Sequence, residues 1–295
     1  MLSVSEPASV AEAAEAMRGA ERAEIGRTLS TARLDRILEY EPGDLTCIVE
    51  AGVRLSALNE HLAPHGQMLA LDPPGDLTLG ACLAADHSGP RRHRYGTMRD
   101  LVIGVTVVLA DGTVASSGGK VVKNVAGYDL GKLFCGSRGR LGLIARLALR
   151  LHPRPAVSRS LVIPVGEPRD AERAWQIVHR SQLVPNAADL LWPGELALMF
   201  EGGERAVEAQ VSAARGVIGG DEADPWDEAR ARQAAAGGRI RFDPGWLAEL
   251  LAGREEAVVR LAAGVAYVPE QVPDEWSPLA EHVRAAFDPH GVLAP

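Results

Sequence analysis

The stretch from Gly118 to Ile144 reads GGKVVKNVAGYDLGKLFCGSRGRLGLI and carries glycines at 118, 119, 127, 131, 136, 139 and 142 among apolar residues, without becoming low-complexity. Glycine permits positive φ and leaves the main chain bare. A run this dense therefore either lets a bulky ligand lie against peptide groups or joins short strands through tight turns. Its neighbours set the context. LVIGVTVVL at 101–109 is too apolar for an exposed strand and too rich in β-branched residues for a comfortable helix, which predicts a buried strand. Asp111-Gly112 supplies a hairpin signal, and VASSGG at 114–119 the returning strand. Beyond the glycines, leucines 141, 143, 147, 149 and 151 hold one alternating phase and arginines 146 and 150 the other, predicting a strand with one wet face.

Upstream, residues 7–22 are rich in Ala and Glu, with Val10, Ala13, Ala14 and Met17 at helical spacing, so a short amphipathic helix is expected there, opened by Ser5 or Ser9. TCIVEAGV at 46–53 reads as a strand. Leu55, Leu58 and Leu62 mark a helix ending near His65-Gly66, and MLALDPPG at 68–75 ends a strand in a turn. Pro153-Arg154-Pro155 disfavours any regular structure running through it, which sets a domain boundary and divides the chain into 1–154 and 155–295. After it come a strand in SRSLVIPV, a helix over 170–181, a hairpin over 189–203 and a helix over 204–217. That β-α-β-β-α order predicts an antiparallel sheet with helices on one face, so the fold class is α+β. Residues 221–240, acidic and then arginine-rich, read as a solvated helix.

A net charge of -8 over 295 residues, with no basic run interleaved with aromatics, argues against nucleic acid as a partner. No apolar run approaches the roughly 20 residues of a membrane-spanning helix, and the first residues lack a basic stretch followed by an apolar core. A cytoplasmic location is the expectation. Cysteines 47, 82 and 135 are odd in number, far apart and set among apolar or small residues, which fits reduced buried thiols better than disulfides. We expect no metal site; any metal in an electron path would belong to another subunit.

Three segments taken together carry a family resemblance. LSTARLDRILEYEPGDLTCIVEAGVRLSALNEHLAPHGQMLALDPPG (29–75), LTLGACLAADHSGPRRHRYGTMRDLVIGV (77–105) and the 118–144 stretch resemble, in order and spacing, the PCMH-type FAD-binding family of the vanillyl-alcohol oxidase fold. Within that family they are most similar to the FAD-binding E subunits of bacterial glycolate oxidases. The resemblance implies a PCMH-type FAD-binding domain of two α/β subdomains, then a smaller antiparallel α+β cap domain. It implies FAD as cofactor, glycolate or a related 2-hydroxy acid as substrate, a paralogous flavin catalytic subunit and an iron–sulfur subunit as partners, and any membrane contact made through those partners. The cofactor-binding residues it points to are Pro74, Gly75, Thr78, Leu79, Gly80 and Ala81 in one loop, Ser88 and Gly89 after it, Gly136, Ser137 and Gly139 in a second loop, and Leu141, Gly142 and Ile144 beyond. Bare peptide N–H groups and the threonine hydroxyl would meet phosphate or ring oxygens, and Leu141 and Ile144 would give apolar contact. No catalytic residue is assigned.

Several residues stay open between two readings. Arg91, Arg92 and Arg94 with Tyr95 either meet an anion (a carboxylate substrate, a cofactor phosphate or an acidic neighbouring subunit) or form a solvated loop. Lys123 and Asn124 either contact a ribityl or pyrophosphate group or make a structural hydrogen bond. His87 is either a base or flavin tether or a polar turn residue. The closing AAFDPHGVLAP (285–295) resembles the family's tail, which returns to the flavin domain, with Ala294 where asparagine is usual. The departure lies between the first helix and Leu29, where the family carries a glycine-rich loop around the pyrophosphate. Here only Gly19 and Gly26 stand there, so the N-terminal subdomain is shortened. The alternatives are a non-catalytic scaffold that has lost FAD and a standalone FAD-dependent dehydrogenase of the D-lactate type.

Overall fold

A computed structural model describes residues 4–119, 129–273 and 277–294; Lys123, Asn124 and Gly127 lie outside them. The first lobe is built on a five-stranded antiparallel sheet in the order Ile37–Glu41, Thr46–Glu50, Leu143–Arg150, Val102–Val108, Val114–Gly118. The two strands with the most continuous apolar sequence take interior places, where both faces find cover. In Leu143–Arg150 the face read as wet is exposed only towards Arg150, because Ile144 and Ala148 are buried on it. Ile144 lies at the site described below. Helix Leu55–Leu62 buries the three leucines that announced it, and Gly66, at φ 63, closes the short 3-10 turn that follows in the left-handed conformation that glycine adopts without strain.

Helix Val10–Arg18 is opened by Ser9, whose Oγ accepts from the Glu12 N–H at 3.1 Å. It buries Ala13, Ala14 and Met17 in a core shared with Val108, Leu143 and Ala145. Between this helix and Leu34 only isolated bridges form, Ser5 with Leu29, Ile25 with Leu29 and Ala23 with Leu293. Residues 19–34 thus make turns where the resemblance implies a glycine-rich loop. The last described residues pack here as well. Ala23 N donates to the Val292 carbonyl at 2.7 Å, Ala294 N to the Ala23 carbonyl at 2.8 Å, and the Phe287 ring meets Phe134 edge-on at 6.0 Å.

The second lobe carries a seven-stranded antiparallel sheet, in the order Asp221–Glu222, Val157–Val165, Gly194–Gly202, Ala187–Trp192, Ala257–Arg260, Val265–Val268, Gly238–Arg241. Alternate residues serve two cores. Ala188, Leu190 and Trp192 pack towards helices Pro168–Arg180 and Glu204–Ile218, while Ala187 and Leu191 share the other face with Trp226 and Ala229. Helix Trp226–Ala235 therefore covers the second face of the sheet, where the sequence predicted a solvated helix. Its buried residues are Trp226, Ala229 and Gln233, too few and too mixed in polarity to stand out from the surrounding charges.

Polar groups join the two lobes. Arg91 forks onto Glu201, Nη2 to Oε1 at 2.6 Å and Nε to Oε1 at 3.1 Å. Gln233 Nε2 donates to the Ser88 carbonyl at 2.9 Å, and its Oε1 accepts from Arg260, which is itself ion-paired with Asp189. Arg91, read as a candidate for an anionic partner outside the chain, thus finds its carboxylate within it. Arg92 Nη1 donates to Ser88 Oγ at 3.0 Å.

Candidate functional site

Two loops of the first lobe lie side by side at the lobe junction. The first follows helix Leu79–Ala84, whose N-cap Thr78 accepts from Ala81 N at 3.3 Å through Oγ1. The second runs from Gly136 to Gly142. The loops are tied directly, because Gly136 N donates to the Leu83 carbonyl at 3.0 Å and Arg138 N to the Ala84 carbonyl at 2.8 Å. Two non-glycine residues here adopt left-handed backbone, Asp86 at φ 49 and Arg138 at φ 51. Such strain persists only where surrounding structure holds it, and it concentrates at functional sites.

The loops face two cavities. One, of about 370 Å³, is lined by the predicted residues Thr78, Gly80, Ala81, Gly139, Gly142 and Ile144, and by Ser30, Thr31 and Ile25 from the shortened segment. The other, of about 930 Å³, lies between the lobes and carries Asp86, Arg239, Arg241 and Tyr267 on its walls. Ala85, His87 and Arg138 line both. Pro74 belongs to the wider cavity and, with Gly75, to a shallower one beside it.

The remaining predicted residues sit elsewhere. Leu79 and Leu141 are core residues of the first lobe, Ser88 is fully buried, and an added Cβ at Gly89 would lie 1.8 Å from the Asp72 carbonyl oxygen. Several glycines of the site answer to protein neighbours. A Cβ at Gly80 would come within 2.8 Å of Ala51 Cβ, at Gly139 within 2.9 Å of Ile25 Cβ, and at Gly142 within 2.5 Å of the Val108 carbonyl oxygen. Gly75, at φ 76, opens onto free space.

The electrostatics favour an anion. Burial lowers the His87 pKa, Arg239 and Arg138 lower it further, and Asp86 pulls the other way, so the imidazole is neutral at pH 7. Burial pushes the Cys47 and Cys82 thiols up to about 12. Burial also raises Cys135, whose thiol donates to Asp86 Oδ1 at 3.3 Å; none of the three offers a thiolate near neutral pH. His61 and His65 both meet the Tyr40 ring edge-on, at 5.5 and 5.3 Å, and among the described residues no three potential ligands gather around a metal position.

This set fits an extended dinucleotide. Two cavities of ligand-pocket size meet at a cation, small residues leave the walls bare, and the buried Ser137 hydroxyl has no hydrogen-bond partner among the described residues. The sequence reading takes Arg138 only as a member of the loop Gly136–Gly139 and assigns nothing to Arg239 or Arg241. The signal for Arg138 is its place between Ser137 and Gly139; Arg239 lies in the segment read as solvated and Arg241 just beyond it, and neither stands out there.

Residues 15–118 match the family described as FAD binding domain. The chain is 34% identical over 215 residues to glycolate oxidase subunit GlcE of Escherichia coli (strain K12), covering 70% of this chain and 59% of that protein. It is 33% identical over 158 residues to D-lactate dehydrogenase [cytochrome] 1, mitochondrial, of Saccharomyces cerevisiae, covering 54% of this chain and 27% of that one. Glycolate oxidase subunit GlcD of Bacillus subtilis matches at 36% over 141 residues, 47% of this chain and 30% of the relative. The chain therefore spans less than two thirds of each of these relatives. Among solved structures, alkyldihydroxyacetonephosphate synthase shares the fold with a TM-score of 0.73 at 15% identity, over 98% of this chain and 75% of that one. No described helix is long and apolar enough to cross a membrane.

Proposed function

We propose that this chain is an FAD-holding subunit of a glycolate oxidase-like assembly that oxidises glycolate or a related 2-hydroxy acid, acting in the cytoplasm beside a paralogous flavin subunit and an iron–sulfur subunit. The observation that carries the reading is the pair of cavities joined at His87 and Arg138, inside a lobe that matches an FAD binding domain and is similar to GlcE. In this reading residues 1–154 form the FAD-binding domain and 155–295 the cap domain with its returning tail.

FAD, when bound, supplies the hydride acceptor. The chain's own part is to hold and enclose it. Thr78, Gly80, Ala81, Gly139, Gly142 and Ile144 form the narrower wall; Pro74 and Gly75 line the shallower cavity, and Gly136 ties the second loop to the Leu83 carbonyl, with Ser137 next to it. Leu79, Leu141, Ser88 and Gly89 support these loops from behind, since they are buried beneath them. In the wider cavity, neutral His87 can accept a hydrogen bond, and Arg239 and Arg241 attract a carboxylate.

The test is to co-express the chain with its neighbouring flavin and iron–sulfur proteins, purify the assembly and record flavin and glycolate-dependent reduction of an artificial acceptor. An active assembly whose copy of this chain carries no flavin refutes the reading. A second reading, a scaffold that keeps the fold without FAD, is favoured by one observation. Ile25 of the shortened segment packs on Gly139, at the cavity wall where a longer loop would have held phosphate. The D-lactate dehydrogenase relatives fit a third, standalone form, which turnover by the purified single chain would support.

A further inference from the structure

Exposed arginines gather where the short helix Arg92–Tyr95 lies against the extended residues 150–154. Of the basic run marked in the sequence, Arg91 is forked onto Glu201 and Arg92 donates to Ser88 Oγ, which leaves Arg94. Arg94 is exposed, and so are Arg150, at the end of strand Leu143–Arg150, and Arg154 beyond it. Among the described residues none of these three side chains makes a hydrogen bond or an ion pair. Arg150, His152 and Arg154 alternate along one extended stretch, and Leu151 between the first two is buried in the first-lobe core. The Tyr95 ring meets His152 edge-on at 5.0 Å, which joins the helix to that stretch. Burial lowers the His152 pKa, and Arg150 and Arg94 both lower it further; burial and Arg94 do the same to His93. Both imidazoles are therefore neutral at pH 7, and the buried Nδ1 of each has no hydrogen-bond partner among the described residues.

We propose that Arg94, Arg150 and Arg154, over a floor made by Tyr95 and His152, are a docking face for a carboxylate-rich segment of a partner polypeptide. That this partner is another subunit of the assembly rests on the reading above; the face itself rests on its charges. The chain carries a net charge of -8, so acids are plentiful, yet none of them neutralises these three cations. Charge complementarity then calls for an acidic surface from outside. Guanidinium forks match carboxylates in a bidentate way and are weakly hydrated, which suits a protein contact. An anionic membrane is held by clusters of roughly four to eight cations, and the rest of this acidic chain would be repelled by it. The floor is also fixed in place. Tyr95 is hydrogen-bonded to Asn186, whose Oδ1 accepts from Glu201 N at 2.9 Å, so the face is tied to the clamp between the lobes. Arg154 stands between Pro153 and Pro155, which stiffen the backbone that carries it, and its N–H donates to the Gly66 carbonyl at 2.7 Å. A rigid floor lowers the ordering cost of binding.

The test measures association of the purified full-length chain with the purified neighbouring flavin and iron–sulfur proteins. The variants are the triple reversal Arg94→Glu, Arg150→Glu, Arg154→Glu and a control triple, Arg169→Glu, Arg173→Glu, Arg180→Glu, made at exposed arginines of helix Pro168–Arg180. Both triples change the net charge by the same amount, so only position distinguishes them. At about 50 mM salt the first should weaken association by about tenfold to a hundredfold and the control by less than about threefold, and the gap should narrow at about 500 mM salt. Replacing the same three residues of the face by lysine keeps the charge and loses the fork, so it should fall between wild type and reversal. All three side chains are exposed, so the melting temperature and flavin content of the reversal variant should match wild type, which separates lost docking from lost folding. Equal weakening by both triples, or wild-type association in the reversal variant, overturns the proposal and leaves the assembly reading standing. Loss of binding to phosphatidylserine vesicles with subunit association intact also overturns it, in favour of a membrane face. A wild-type chain that associates with neither protein defeats the assembly reading, and this proposal falls with it.

Discussion

Arg91→Ala and Glu201→Ala are expected to destabilise the protein unequally, and the inequality follows from burial. The Glu201 side chain is fully buried, whereas that of Arg91 is 29% exposed, and the two share a forked contact across the lobe junction with Nη2 to Oε1 at 2.6 Å. Removing Arg91 strands a carboxylate with no water, a loss of about 3–5 kcal/mol. Removing Glu201 leaves a guanidinium that still reaches solvent and lies near Asp72, so the expected loss is about 1–3 kcal/mol. The double variant should recover part of the sum, because the stranded charge is gone. Urea unfolding monitored by tryptophan fluorescence, with the slope checked in each variant, measures all three. Glu201→Ala costing as much as Arg91→Ala, or both lying within about 0.5 kcal/mol of wild type as ordinary surface changes do, would refute the assignment of this pair as the buried clamp between the lobes.

Two further outcomes follow from the same geometry. Burial raises the Asp72 pKa to about 6, against the pull of Arg91, Arg260 and Arg230. Its folded pKa thus lies above the unfolded value of about 3.9, so its contribution is full below pH 4 and is lost as pH rises to about 6, a swing of about 2–3 kcal/mol that Asp72→Asn should abolish in a pH series of melts. Gly142→Ala places a Cβ 2.5 Å from the Val108 carbonyl oxygen at φ 144, and should lower stability by at least about 2 kcal/mol with no ligand present; an unchanged melting temperature would mean that this glycine is kept for a ligand alone.

Much of the first lobe was legible in the sequence, because local chemistry and burial agree there. Leu55, Leu58 and Leu62 fall on one helix face, Ser9 caps the helix that its spacing announces, and LVIGVTVVL lies where an unbroken apolar strand must, inside a sheet. The second-lobe hairpin was equally plain. What failed to show was contact between distant segments. Arg91 looks like a solvated or ligand-seeking cation until Glu201, 110 residues away, is seen beneath it. Helix Trp226–Ala235 looks polar because one of its three buried residues is Gln233, whose amide is matched by the Ser88 carbonyl and by Arg260. The glycines divide in the same way. Sequence marks where backbone comes close to something; at Gly80, Gly139 and Gly142 that something is Ala51, Ile25 and Val108. Glycine density thus marks close approach of backbone, and at these three positions the neighbour is protein.

The most direct test of the central claim is the flavin content of this chain itself. The tagged chain is purified in complex with its partners and separated under non-reducing, flavin-sparing conditions, and the FAD released per chain is measured by absorbance and chromatography. The account predicts about one FAD per chain, and recovery of binding when FAD is added back to the stripped protein. Folded chain from an active assembly with no FAD, and none taken up on addition, would contradict it.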